Sequence, residues 1–328
     1  MLTRRLLLAF LASAAAVAIV TDAAAQGYPS RPITMLVPFA AGGPGDTLAR
    51  SLAEPMRLSL GQTIIIENVT GAGGSIGVGR VARAEPDGYT VGLGFLGTHV
   101  LNGAVYTLQY DVVKDFEPIA LIASNPQLIV AKSAVPANNL KELIAWLAIN
   151  PSKASQGTAG VGSPSHISDL FFQTVTGTSF QFVPYRGGAG PAMQDLVGGH
   201  IDLMFDMALN SLPHIRDGRI KAYAVADKAR LPSAPDIPTV DEAGLPGFYM
   251  SLWFGFWAPR GTTKEIVGKI NAAVVDALGD PMVRQRLANL GMEIPPRQQQ
   301  TPEALRAFPK AEIEKWWPII KAAGIKAQ

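Results

Sequence analysis

The chain of 328 residues contains no cysteine. That absence excludes disulfides, a thiolate nucleophile, cysteine metal sites and a lipid-anchoring cysteine, so the fold must rest on its hydrophobic core. Charge is also sparse. The 28 basic and 26 acidic residues give a formal net charge of +2, and they form no basic block or stripe. Nucleic acid, whose phosphates require a concentrated positive surface, is not an expected partner. The four histidines, His99, His166, His200 and His214, are scattered. No His-Glu-x-x-His helix occurs, and Gly73-Gly74-Ser75-Ile76-Gly77, which matches Gly-x-Ser-x-Gly in letters, stands several residues after the strand Ile64-Glu67 and not on its end, where a nucleophile elbow requires it. No catalytic residue, metal site or cofactor is therefore expected, and an exported hydrolase is the weaker alternative. After residue 25 no apolar run is long enough to span a bilayer.

One apolar run does exist. Leu6 to Val20 follows Arg4-Arg5 and ends before Ala23-Ala24-Ala25. This is the layout of an export signal, with cleavage expected after Ala25. Thr21-Asp22 stop the run short of a membrane anchor. The segment fits both a Sec and a twin-arginine signal. A soluble periplasmic protein of about 300 residues follows, long enough for two domains.

In the mature chain, strand and helix patterns alternate. Ile33-Val37 reads as a buried strand, and Leu48, Leu52 and Met56 mark one helix face that closes at Gly61. Ile64-Glu67, Thr90-Gly94, Gln127-Ala131, Phe182-Val183, Ile201-Phe205, Ala222-Ala226 and Leu252-Trp257 read as strands. Helices are expected over 75–84, after Asn139, over 165–176 up to Gly177, over 191–197 and over 266–278. Parallel sheets covered by helices are the expected α/β architecture. A last helix starts at Thr301-Pro302 and is expected to be interrupted by Pro309 and Pro318. No repeat is visible. Trp253, Trp257, Trp316 and Trp317 have apolar neighbours and read as core. Asp202 and Asp206, four apart in a strand, would share a face.

Two strand-to-helix loops stand out. Pro38-Phe39-Ala40-Ala41-Gly42-Gly43-Pro44-Gly45-Asp46 and Gly157-Thr158-Ala159-Gly160-Val161-Gly162-Ser163-Pro164-Ser165-His166 both lack lysine and arginine. Glycine lets a ligand approach the backbone, and the first amides of a helix have no intrahelical acceptor. Such amides sit at the positive end of the helix dipole and suit a carboxylate. Gly92-x-Gly94-x-x-Gly97 formally fits a dinucleotide fingerprint, but Thr98 to Gly103 contains another glycine where an amphipathic helix is required.

The chain resembles the Bug, or TctC-type, periplasmic solute receptors of tripartite tricarboxylate transport systems over nearly all of Tyr28 to Ile325. The resemblance is carried by Pro29-Ser30-Arg31-Pro32-Ile33, Val37-Pro38-Phe39 with Gly42-Gly43 and Asp46 to Arg50, and Glu67-Asn68 with Gly71-Ala72-Gly73-Gly74 and Gly77. Pro86 to Thr90, Gly160-x-Gly162 to His166, Pro184 to Gly187 and Gly198 to Phe205 continue it. Gly45, where a small hydroxyl residue is common, and Val69-Thr70, in place of Arg-Pro, depart from the pattern.

The resemblance implies a type II periplasmic binding protein fold, two α/β domains joined by crossing strands. Residues 26–123 with 227–328 would form one domain and 124–226 the other, with C-terminal helices packing across both. It also implies a ligand site of Phe39, Ala41, Gly42, Gly43, Gly162, Ser163, Ser165 and His166, with Thr98 and Asp206 on the remaining wall. The expected ligand is a small carboxylate: a di- or tricarboxylate, an amino acid or an aromatic acid. Membrane transporter subunits of the tripartite type are the expected partners. A membrane sensor kinase reading the same pocket is the alternative.

Overall fold

A computed structural model describes residues 27–185 and 188–326, and the expected export segment lies outside them. Among the described residues no helix is long and apolar enough to cross a membrane. Strand β1 (Ile33–Val37) is followed by helix α1 (Pro44–Leu60) and strand β2 (Ile64–Asn68). Proline opens α1, where no amide hydrogen is needed, and Gly61 closes it in the left-handed region at φ 69°. Helix α2 (Ser75–Ala82), strand β3 (Thr90–Phe95), a π-helical turn (Gly97–Leu101) and the short helix α3 (Asn102–Val105) follow. The glycines of β3 make room for neighbours: a Cβ on Gly94 would lie 2.1 Å from His99 Cε1, and one on Gly92 would lie 2.6 Å from Val81.

Strand β4 (Phe116–Lys132) is far longer than its expected Gln127-Ala131 segment. It leads to α4 (Leu140–Ile149), β5 (Ser155–Thr158), α5 (Pro164–Thr176), β6 (Gln181–Pro184), α6 (Ala189–Val197), β7 (Leu203–Met207), α7 (Ala208–Arg216) and β8 (Ile220–Val225). The chain ends with β9 (Ser251–Pro259), α8 (Lys264–Gly279), α9 (Pro281–Asn289) and α10 (Pro302–Ala322).

The strands form one path, β2-β1-β3-β9-β4-β7-β5-β6, with β8 also on β4. An all-parallel arrangement is not what forms. β1, β2 and β3 are parallel, as are β5, β6 and β7, but β9 is antiparallel to β3 and β4, and β4 to β7 and β8. Strand β4 pairs with β9 from Phe116 to Pro126, then with β7 from Gln127. Its partners thus change at one peptide bond, and the molecule has a half on either side, a two-domain α/β fold of the periplasmic binding protein type. Residues after β8 stay with the second half: Val225 exchanges backbone bonds of 2.8 and 2.9 Å with Pro238 and Val240. Phe248 packs on Phe172 and Phe205 at 5.5 and 5.7 Å. The chain returns at Ser251, which pairs with Pro126.

One core cluster lies under α1 and α8, with Met35, Leu48, Leu52, Phe256 and Ile270 buried. A second runs through both halves and holds Val100, Ile129, Phe172, Phe205, Trp253 and Trp316. Against expectation, α10 continues through Pro309 and Pro318. Each proline removes one helical hydrogen bond. Burial of Leu305, Pro309, Trp316 and Ile320 holds the helix in place across those gaps. Asp202 precedes β7 and shares no strand face with Asp206. Instead it accepts from the Ser155 amide at 2.7 Å and pairs with Lys132 at 2.7 Å.

Candidate functional site

Both glycine-rich loops join a parallel strand to the start of a helix, and their hydrogen bonds follow one diagram. In the first, Gly43 N–H donates to Ala40 O at 3.4 Å and Thr47 N–H to Gly43 O at 2.9 Å. In the second, Ser163 N–H donates to Gly160 O at 3.1 Å and Ile167 N–H to Ser163 O at 3.0 Å. Gly42 and Gly162 both take positive φ, 82° and 75°, which glycine adopts without strain. Each then donates its amide to the side chain four residues on: Gly42 to Asp46 Oδ2 at 2.8 Å, Gly162 to His166 Nδ1 at 3.0 Å.

This arrangement narrows the set of free donors. The amides of Gly42 and Gly162 are occupied. The Ser163 and Ser165 hydroxyls bond to each other at 3.0 Å, while Ser165 Oγ accepts from Ala159 N–H and Ser163 Oγ from His166 N–H. Among the described residues, the amides of Phe39, Ala40, Ala41, Gly45 and Asp46 in the first loop and of Val161 and Ser165 in the second have no hydrogen-bond partner. Ala41 and Val161 are exposed at the loop tips.

Asp46 was not singled out as a site residue by the sequence, although an acid in the first turn after a glycine loop is a recognisable signal. It is buried and accepts from Gly42, from Arg50 at 2.9 Å and from Asn68 at 3.0 Å. Burial pushes its pKa up, but these hydrogen bonds outweigh it and hold the carboxyl below its usual range. Asn68 also donates to Phe39 O at 2.9 Å, tying the loop to β2. Gly45 lies beneath the Phe39 ring, where a Cβ would come 3.0 Å from Phe39 Cδ2. The departure from a hydroxyl residue therefore lets Phe39 fold onto the helix start. In the second loop, burial lowers the His166 pKa, and its ring lies 4.4 Å from that of Phe182.

Segment 95–105 borders both loops. Phe39 meets Phe95 edge-on at 4.9 Å, and a Cβ on Gly162 would lie 2.5 Å from Val105 Cγ1. Thr98 sits between them but is fully buried, with its hydroxyl bonded to the backbone of Phe95 and to His99 Nδ1 at 3.0 Å. Asp206 is also buried. Phe205 faces α5, so Asp206 faces the other side of β7, where it accepts from Asn210 at 2.8 Å and Ser211 at 3.0 Å. Burial raises its pKa to about 6 against those hydrogen bonds.

Residues 48–325 match the family model described as tripartite tricarboxylate transporter family receptor. The chain is 42% identical to periplasmic binding protein BugD, covering 92% of this chain and 100% of that one at a TM-score of 0.81. It is also 42% identical to MatC from Rhodopseudomonas palustris, solved with bound malate, covering 89% of this chain and 100% of that one at a TM-score of 0.81. A second R. palustris protein, solved with adipate, is 35% identical, covering 92% of this chain and 100% of that one at a TM-score of 0.83. These neighbours are solute-binding receptors and not enzymes. Since the family match spans most of a fold shared with them from end to end, the chain belongs to the tripartite tricarboxylate transporter receptor family.

Proposed function

We propose that this protein is exported to the periplasm, binds a small carboxylated solute between its two halves, and delivers it to a tripartite tricarboxylate-type membrane transporter. The observation that carries the reading is the matched pair of loops, each bringing unpartnered amides to a helix start without a cation. The donors we assign are the amides of Ala41, Gly45, Val161 and Ser165, helped by bridging water. Phe39, Gly42, Gly43, Gly162, Ser163 and His166 shape the loops around them, and Thr98 and Asp206 support the wall from behind. Malate and adipate in two relatives favour a dicarboxylate. We place the domain crossings at Pro126 and Ser251, where β4 and β9 pass together between the halves. Two loops in different halves can hold one ligand only by converging on it, so binding closes a hinge.

The test is a thermal-shift panel of malate, succinate and adipate against the corresponding diamides. Only the acids should stabilise the protein, by about 2.7 kcal/mol at 100-fold saturation. An equal response to the amides would remove the anion argument. Mass spectrometry of the protein purified from periplasm, read for a co-purified acid, identifies the solute.

A further inference from the structure

We propose that Asp46 and His166 are paired positioning residues: each takes up the amide of the loop glycine four residues earlier, locking that loop so that its remaining amides meet the ligand. The proposal rests on the receptor reading above. Its support is the correspondence between the two loops. Glycines at positive φ, N1 prolines, capping carbonyls and first-turn acceptors occupy matching positions, yet the acceptor is a carboxylate in one loop and an imidazole in the other. What the two share is a buried acceptor atom at one place.

The chemistry fixes the histidine's state. Nδ1 accepts from Gly162, so the ring proton resides on Nε2 and the ring is neutral. A protonated ring would set two donors against each other, and burial opposes that form. With Gly42 and Gly162 withdrawn, the amides at the preceding positions, Ala41 and Val161, are left at the tips, where a carboxylate can reach them. Neither Asp46 nor His166 needs to touch the solute. Asp46 is held in turn by Arg50 and Asn68.

The experiment uses the purified protein, with malate and adipate as probes, in calorimetry and in residue-resolved amide exchange. In the ligand-free wild type, the Gly42 and Gly162 amides should exchange at least about tenfold more slowly than those of Ala41 and Val161, as expected for one hydrogen bond. Saturation with the bound acid should slow Ala41 and Val161 and leave the two glycines unchanged. His166→Phe keeps the ring contact with Phe182 but has no acceptor, and should weaken binding about tenfold. His166→Asn, whose Oδ1 falls near the place of Nδ1, should restore affinity to within about threefold, the rescue that a shared acceptor position requires.

Wild-type binding with unaltered affinity in His166→Phe overturns the proposal alone, as does an Asn variant as weak as the Phe variant. Should the Phe variant not fold, the wild-type exchange pattern decides. Ligand protection that appears at Gly42 and Gly162 instead of at Ala41 and Val161 overturns the proposal. No binding of either acid by the wild type overturns the receptor reading, and the positioning proposal with it.

Discussion

Trp316 and Trp317 are adjacent on α10 yet hold different halves of the molecule. Trp316 meets Phe171 of α5 edge-on at 5.5 Å, within the second half. Trp317 donates its indole N–H to Val100 O at 2.9 Å, in the π-helical turn of the first half. Gly103 makes room for that ring, since a Cβ there would come 2.7 Å from Trp317 Cζ2. Successive helix residues point about 100° apart, so one turn can grip two bodies.

Trp317→Phe removes one donor and keeps most of the ring, so it should cost about 1 kcal/mol of stability. Trp316→Ala empties a buried site and should cost about 3–5 kcal/mol. Denaturant unfolding of the two variants measures both, and equal losses would contradict this division of roles.

Gly43→Val separates binding from folding. Gly43 has φ −77°, and its Cβ would meet only Ala40 O at 3.4 Å, so the fold should tolerate a side chain there. The added branch would crowd the first loop and abolish acid binding. Gly162→Ala should behave differently, because φ is +75° and Val105 Cγ1 would lie 2.5 Å away. That substitution should lower stability by about 1–3 kcal/mol. Calorimetry and thermal unfolding on the pair separate the two effects.

Asp206 predicts a pH dependence. Its folded pKa, about 6, lies above the ordinary 3.8. The fold therefore favours the protonated carboxyl. That contribution is fully present below about pH 4 and is lost as pH rises through 6, amounting to roughly 3 kcal/mol. Asp206→Asn should flatten the stability profile between pH 4 and pH 7, while keeping an oxygen for Ser211. A wild-type profile that rises over the same window because of this residue would show the sign to be wrong.

Asn125 is fully buried one residue before Pro126. It donates to Gly291 O at 2.9 Å and accepts from Ala208 N–H at 3.1 Å, joining the turn after α9 to the start of α7 across the crossing strand. Asn125→Ala should leave these groups unpaired and cost about 2–4 kcal/mol, measured by denaturant unfolding. Asn125→Asp should not rescue it, since a carboxylate has no hydrogen to give Gly291.

Regular periodicity was legible in the sequence where one face of an element is buried, as with Leu48, Leu52 and Met56 of α1. The loops were legible because glycine and proline punctuate strand and helix so clearly. Strand β5 was not. Ser155-Gln156-Gly157-Thr158 has no apolar alternation, yet it lies between β6 and β7 with Gln156 and Thr158 wholly buried. The first part of β4 was hidden as well: prolines are rare inside central strands, and here register shifts near Pro118 and the partner change at Pro126 accommodate them. In the candidate site, spacing brought out the glycine-rich loops, and the family resemblance added His166 as a site residue. That His166 and Asp46 consume two of the amides is a tertiary fact, set by side-chain direction and burial, which composition does not carry.

The place of β9 between β3 and β4 governs the order in which the molecule can assemble. During synthesis, β1, β2 and β3 emerge early, but the slot beside β3 stays empty until the last third of the chain arrives. The second half, from Gln127 to Val225, can pair its own strands before then. Loop closure over so long a stretch is slow. The sheet of the N-terminal half thus cannot be completed before the whole second half has been made, and its β3 edge stays open until Ser251–Pro259 has been added.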